Sequence, residues 1–272
     1  MKVLIFAAGL GTRLKPITES KPKALVPVCG KPLLWHVIEK FKKCGFKDFV
    51  INVHHFAGQI REYVEANGSF GVNVAFSDET DLLRETGGGI RHAAKLLGGK
   101  EPFVVHNVDI LSNLDLDKFV SKHKSFAVAN SNTDADAGIL ATLLVSDRKT
   151  QRYLLFDSQD NLVGWMNVKT GEVRSPYNEL RRNGGEGAAF DELFLSKYNL
   201  EKYAFDGVHV ISPQIFDLMQ EWPDKFSIID FYLEMCGRYR IKKHIQPGLD
   251  MLDVGKLDSL QKAEEMASKL GL

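Results

Sequence analysis

Apolar and polar positions follow two periods along the first half of the chain. Residues 3–8 (Val-Leu-Ile-Phe-Ala-Ala) are a short apolar run closed by glycines, which predicts a buried strand. A helical pattern opens at Lys31-Pro32 and runs to about Cys44, with proline at its first position and Gly45 just past its end. Residues 49–53 predict a strand, 57–66 a helix closed by Asn67-Gly68, and 72–76 another strand. A helix over 90–97, a strand over 103–107 and a helix over 116–123 come next. Apolar strands alternating with helices predict an α/β fold with a mostly parallel sheet covered on both faces. Such sheets bind ligands beyond the carboxyl ends of their strands. That singles out the segments after Ala8, before Ile90 and after Asn107.

The second half is less regular. Residues 139–145 predict a strand, and 153–156 with 162–165 a hairpin around the polar stretch 157–161. Residues 179–188 read as a polar, glycine-rich loop. A strand over 204–211, a short helix from Pro213 and helices over 228–236 and 259–270 complete the pattern. With no repeat and no low-complexity linker, halves 1–125 and 126–272 are expected to share one mixed sheet in a single domain.

Composition narrows the classes of function. Lys plus Arg and Asp plus Glu both total 35, so the formal net charge is zero. That balance argues against nucleic acid or a membrane surface as partner. The three cysteines, Cys29, Cys44 and Cys236, form no CxxC pair. They are expected to be free thiols in a reducing, cytoplasmic setting rather than zinc or disulfide frameworks. No apolar run reaches the roughly 18 residues of a membrane span. The N-terminal apolar run stops at Thr12-Arg13, too soon for a secretory signal.

The candidate chemistry begins directly after the first strand. Gly9 and Gly11 flank Leu10, and glycine lets backbone amides approach a phosphate closely. A dinucleotide fingerprint expects a further glycine where Leu14 stands, and the Gly-Lys-Ser/Thr of a Walker loop is missing. The chain turns cationic instead, with Arg13 and then Lys23 within Lys21-Pro22-Lys23-Ala24-Leu25-Val26-Pro27-Val28. Taken singly, each cation reads as a solvated surface charge. Placed after two glycines, a guanidinium fork and an ammonium point charge suit a polyphosphate.

These two stretches together resemble the signature of the sugar-1-phosphate nucleotidyltransferases, and the resemblance is strongest over residues 1–110. It implies the Rossmann-like sheet of the nucleotide-diphospho-sugar transferases, with nucleotide in the first half and sugar phosphate in the second. It implies that Ala8, Gly9, Gly11, Thr12 and Arg13 hold the triphosphate, and that Arg13 and Lys23 act on the reacting phosphates. Glu85-Thr86-Gly87-Gly88-Gly89 resembles the family's base-binding loop, which adds Thr86, Gly87 and Gly88 as nucleotide contacts. Asn107-Val108-Asp109 matches a strand-end segment whose usual sequence is Gly-Asp, with Asn107 toward the nucleotide and Asp109 on magnesium. Val108 replaces the glycine, which raises the question of the local backbone. Asp253-Val254-Gly255 resembles the segment carrying the second metal carboxylate, although Lys256 stands where threonine is common. The implied cofactor is Mg²⁺, which takes one or two carboxylates plus phosphate oxygens and water.

The implied reaction is attack of a sugar 1-phosphate on the α-phosphorus of a nucleoside triphosphate. The sugar side is less legible. The Glu-Lys-Pro segment of many family members is missing, and Trp165-Met166-Asn167 falls in that part of the chain. Glu192, Asn199 and Asp206 are candidate substrate residues, and ordinary loop polarity explains them equally well. The compact Glu85–Gly89 stretch looks most like members that join UTP to N-acetylmuramate 1-phosphate. It also resembles guanylyltransferases of mannose or heptose 1-phosphate. Two further readings stay open: phosphocholine cytidylyl transfer with Trp165, Tyr177 and Tyr203 as an aromatic cage, and a silent nucleotide-sugar sensor.

Overall fold

The computed structural model describes residues 1–128, 138–184 and 188–271. In chain order the first half holds β1 (Lys2–Phe6), β2 (Pro27–Val28), β3 (Lys31–Pro32), α1 (Leu33–Lys43), β4 (Asp48–Val53), α2 (Ala57–Ala66) and β5 (Asn73–Asp78). It continues with α3 (Glu85–His92), α4 (Ala94–Leu97), β6 (Phe103–Asn107), β7 (Ile110–Ser112) and α5 (Leu116–Val128). The second half holds β8 (Ile139–Ser146), β9 (Arg152–Phe156), β10 (Leu162–Asn167), β11 (Glu172–Arg174), β12 (Arg182–Asn183), α6 (Ala188–Tyr198) and β13 (Glu201–Ile211). It ends with α7 (Ile215–Leu218), α8 (Ile228–Met235), β14 (Arg240–His244), β15 (Met251–Asp253) and α9 (Asp258–Lys269).

β1 lies between β4 and β6 and runs parallel to both. β5 extends the parallel part beyond β4. The chain therefore leaves β1 toward one side of the sheet and returns on the other as β6. Connections diverging at neighbouring strands open a crevice at the strands' carboxyl ends. β13 then joins the two halves: its last residues pair antiparallel with β6 and β8, and its first three pair with β9. Through β13 the described strands β12-β11-β10-β9 continue the sheet that ends in β5. The single mixed sheet is as expected.

Strand alternation divides the core. Val3 and Ile5 of β1 face a layer with α1 and α9, and Leu4 faces a layer with α3, α7 and α8. On α1, Leu33, Leu34, Val37, Ile38 and Phe41 form the buried stripe expected of an amphipathic helix. A third cluster covers one side of β9–β11 with Phe194 of α6. No helix among the described residues is long and apolar enough to cross a membrane. All three cysteines are free.

Two sequence expectations need correction. Lys31-Pro32 does not start α1; it is strand β3, paired with β2 across the left-handed residues Cys29 (φ 48) and Gly30 (φ 73). The hairpin persists because Leu33 N–H donates to Val26 O at 3.0 Å and the His36 ring hydrogen-bonds Val28 O at 2.8 Å. Glu85 to Gly89 is not a loop before a helix; it is the first part of α3. Of the expected loop 179–188, residues 185–187 lie outside the described residues.

Burial holds several histidines neutral. Desolvation pushes His106 and His209 down to about 3 and His123 down to about 4, from an ordinary 6.5. Below pH 6.5 the unfolded chain therefore takes up protons that the folded chain refuses. Stability is expected to fall on acidification from pH 6.5 toward pH 4, by about 1.4 kcal/mol per histidine per pH unit. A urea midpoint that does not move between pH 7 and pH 5 contradicts this.

Candidate active site

The crevice between β1 and β6 opens into a cavity of about 580 Å³. The segment after β1 forms one wall. Ala7 and Ala8 donate their N–H groups to Asn52 Oδ1 at 2.6 and 3.1 Å, which fixes the path of the chain leaving the strand. Gly9, Leu10, Gly11, Thr12 and Arg13 then line the cavity. Gly11 is left-handed at φ 63, and a Cβ there would lie 2.9 Å from Thr18 Cγ2 and 3.1 Å from Lys23 Cβ. Only glycine suits both demands. Its carbonyl accepts from Leu14 N–H and the Thr18 hydroxyl at 2.9 and 2.8 Å, closing the turn.

Asn107 and Asp109 form the facing wall, at the end of β6. Val108 N–H donates to Phe6 O at 3.1 Å, so the two strand ends are tied together. Val108 is buried and its φ is not positive, so this backbone needs no glycine. Room for Asn107 comes from Gly207 of β13, at a bulge with φ 71, where a Cβ would fall 2.5 Å from Asn107 Nδ2.

Asp253 arrives from the far end of the chain. β15 pairs antiparallel with β7, setting Asp253 opposite Ile110, and Val254 N–H donates to Asp109 O at 2.8 Å. The two carboxylates thus become neighbours. Burial and the adjacent Asp109 push the Asp253 carboxyl up, opposed by Lys23 and Arg13. Lys23 is only 9% exposed and ion-pairs with Asp109. Arg13 lies against Gly255, where a Cβ would meet Arg13 Nη2 at 2.8 Å and Asp253 Oδ1 at 2.6 Å. The fold therefore gathers Arg13, Lys23 and Asp109 at one cavity and sets Asp253 beside them, two residues before the lining Gly255.

Two carboxylates beside two cations suit a divalent ion that completes its shell with phosphate oxygens and water. No cluster of three or more His, Cys, Asp or Glu able to hold a metal occurs among the described residues. A hard cation shared between Asp109, Asp253 and phosphate oxygens fits this donor set.

The third wall is the start of α3. Glu85 and Thr86 line the cavity, but Gly87 and Gly88 turn their N–H groups to Phe226 O at 2.9 and 3.2 Å. Of the expected nucleotide contacts, Thr86 lines the cavity while Gly87 and Gly88 do not, their N–H groups being taken by Phe226. They are small because other chain packs on them. A Cβ would lie 2.3 Å from the Phe226 ring at Gly87, and 2.2 Å from the Asp224 carbonyl at Gly88. Gly88→Ala is expected to lower stability by about 1–3 kcal/mol, because backbone blocks the added methyl. An unchanged melting temperature contradicts that reading.

Sequence reasoning missed several lining residues. Asn52 holds Ala7 and Ala8 and donates to Glu79 Oε1 at 2.9 Å. Glu79 is fully buried and accepts the Arg84 N–H at 3.2 Å. An asparagine inside the apolar stretch 49–53 was the available signal. Ser227 accepts from Ile229 N–H as the N-cap of α8 and also lines the cavity.

The second-half candidates fare differently. Glu192 lies on α6, exposed, and Asn199 occupies the left-handed turn after it at φ 51. Neither lines the cavity. Asp206 is 1% exposed and holds Arg148, whose Nε donates to Asp206 Oδ1 at 2.9 Å. It is corrected from substrate contact to a support beneath an arginine. Trp165, Tyr177 and Tyr203 do not form a cage. Trp165 lines a neighbouring cavity that Tyr177 and Tyr203 do not reach, and Arg174 stands 5.7 Å from its ring.

A family model described as nucleotidyl transferase matches residues 2–153, more than half of the chain. The chain belongs to the nucleotidyl transferase family. Over 116 residues it is 44% identical to an N-acetylmuramate alpha-1-phosphate uridylyltransferase of Neisseria meningitidis serogroup B, covering 42% of this chain and 49% of that relative. The match thus spans about half the length of that relative. Over 263 residues it is 27% identical to mannose-1-phosphate guanyltransferase beta-B of Xenopus laevis, covering 94% of this chain and 69% of the other. A UDP-glucose pyrophosphorylase solved with UDP-glucose superposes with a TM-score of 0.69 at 18% identity, covering 99% and 98% of the two chains. That likeness concerns the fold.

Proposed function

We propose that this nucleotidyl transferase joins UTP to N-acetylmuramate 1-phosphate, releasing pyrophosphate. The observation that carries the transfer chemistry is the convergence of Arg13, Lys23 and Asp109 on the crevice between β1 and β6, with Asp253 beside Asp109 and Arg13. One oxygen of the sugar phosphate forms a bond to the α-phosphorus, the bond from that phosphorus to the bridging oxygen breaks, and pyrophosphate leaves with the electron pair. A sugar phosphate with a second pKa of about 6 is mostly dianionic at neutral pH, so no general base is needed. Positioning and charge stabilisation remain for the protein to supply.

The segment Gly9 to Arg13 cradles the triphosphate, and the Arg13 guanidinium faces the departing pyrophosphate. Lys23 holds the α-phosphate while it is attacked. Asp109 and Asp253 would hold magnesium, which when bound neutralises charge on the phosphates. Glu85 and Thr86 border the base and ribose.

The uridylyl and muramate assignment rests on the 44% identical stretch. The longer alignment with a mannose-1-phosphate guanyltransferase supports a second reading, GTP with mannose 1-phosphate. Measuring kcat/KM for UTP and GTP against both sugar 1-phosphates separates them. The first reading expects UTP with N-acetylmuramate 1-phosphate to lead by at least about tenfold, one pocket contact's worth of discrimination. A lead for GTP with mannose 1-phosphate overturns it.

A further inference from the structure

Beyond Ser227 the site continues into a second cavity of about 500 Å³, and Ser227 lines both. Its floor is one face of β9–β11. Arg152 pairs with Asn167, Asn167 with Glu172, and Trp165 with Arg174, so strand alternation sends this set to one side. The opposite side carries Leu155, Met166 and Val173, closed by Phe194 of α6.

Three arginines line the open side: Arg148, Arg152 and Arg174. Arg148 is fixed through Nε on the buried Asp206 and through Nη2 on Phe205 O at 2.8 Å. Arg174 donates to Asp230 at 2.7 Å and stands over the Trp165 ring. Arg152 has no side-chain partner among the described residues. Asp206 and Asp230 offset Arg148 and Arg174, and Glu172 balances the set overall, so Arg152 stands out as the lining arginine without an ion-pair partner among the described residues rather than as part of a net positive patch. The arrangement combines an aromatic platform for a sugar ring with a guanidinium that is free to accept an anion.

We propose that this cavity is an acceptor subsite selective for sugar 1-phosphates that bear a carboxylate, and that Arg152 pairs with that carboxylate. The inference rests on the transfer reading. The anomeric phosphate must reach the α-phosphorus beside Lys23, Asp109 and Asp253, so the body of the sugar extends past Ser227 toward Trp165. A carboxylate on that body meets Arg152, with Arg148 held nearby by Asp206. A neutral sugar leaves Arg152 in water and gains nothing from it.

The test compares two acceptors with UTP: N-acetylmuramate 1-phosphate, and N-acetylglucosamine 1-phosphate, which lacks the carboxylate. The wild-type protein is expected to prefer the carboxylate acceptor by about tenfold or more in kcat/KM. Arg152→Gln is expected to lose about tenfold to hundredfold with that acceptor, the worth of one charge-assisted pair, and to keep its rate with the neutral one. Arg152→Lys, which keeps charge without the fork, is expected to recover part of the loss. Arg152 is exposed, so these variants are expected to keep the wild-type melting temperature. Equal losses on both acceptors, or an unchanged preference in Arg152→Gln, overturn the proposal. If the wild-type protein releases pyrophosphate with no sugar 1-phosphate at all, the transfer reading itself fails, and this inference with it.

Discussion

Asp109→Asn is expected to lower kcat/KM by about 10³-fold or more at saturating magnesium, since loss of the carboxylate proposed to hold the metal removes several kcal/mol of charge stabilisation. Asp109 stands where the two strand ends are tied together, paired with Lys23 and beside Asp253. Asparagine keeps the side-chain volume, and the bond from Val254 N–H uses only the backbone carbonyl of residue 109. The β7–β15 ribbon is therefore expected to survive. What disappears is the negative charge that offsets Lys23 and would bind the cation. The melting temperature is expected to fall modestly, because the Lys23 ammonium loses a partner in a mostly buried place. Pyrophosphate release across a magnesium titration checks this, and a wild-type rate at any magnesium concentration rules out the metal role of Asp109.

Lys23→Ala is expected to lower kcat by about 10²–10³-fold while KM for UTP changes little, the pattern of a contact that strengthens at the transition state. Lys23 is held in a short turn after Pro22, close against Gly11. Its ammonium faces Asp109 from inside the cavity wall, so it is placed before any substrate arrives. Arginine is expected to substitute poorly, because its planar fork replaces a compact ammonium that faces Asp109 in a mostly buried place. Steady-state rates for both variants, with melting temperatures as a check on folding, decide it. An unchanged kcat in Lys23→Ala contradicts the role.

The nucleotide half was largely legible because its signals are local. Glycines and cations come within a few residues of β1, and Asp109 ends a strand whose apolar run is plain. Asp253 was legible only through resemblance. What positions it is the pairing of two three-residue strands, β7 and β15, too short to show a period. Gly87 and Gly88 were visible as special, but the reason for them was not. Their constraint comes from Asp224 and Phe226, a tertiary contact with residues far along the chain. The acceptor side was hidden differently. Arg152, Trp165 and Arg174 share a face only once the register of β9–β11 is known; in sequence the two arginines read as ordinary surface residues, and Trp165 stands out only as a cage candidate.

The most direct measurement tracks pyrophosphate and nucleotide sugar by phosphorus NMR in one mixture of the protein, UTP, N-acetylmuramate 1-phosphate and Mg²⁺. Parallel mixtures lack one component each, or contain EDTA. Equal amounts of both products are expected in the complete mixture, and none when the sugar phosphate or the metal is withheld. Tight binding of a nucleotide sugar with no pyrophosphate released, for any pairing of common triphosphates and sugar 1-phosphates, contradicts the transfer reading.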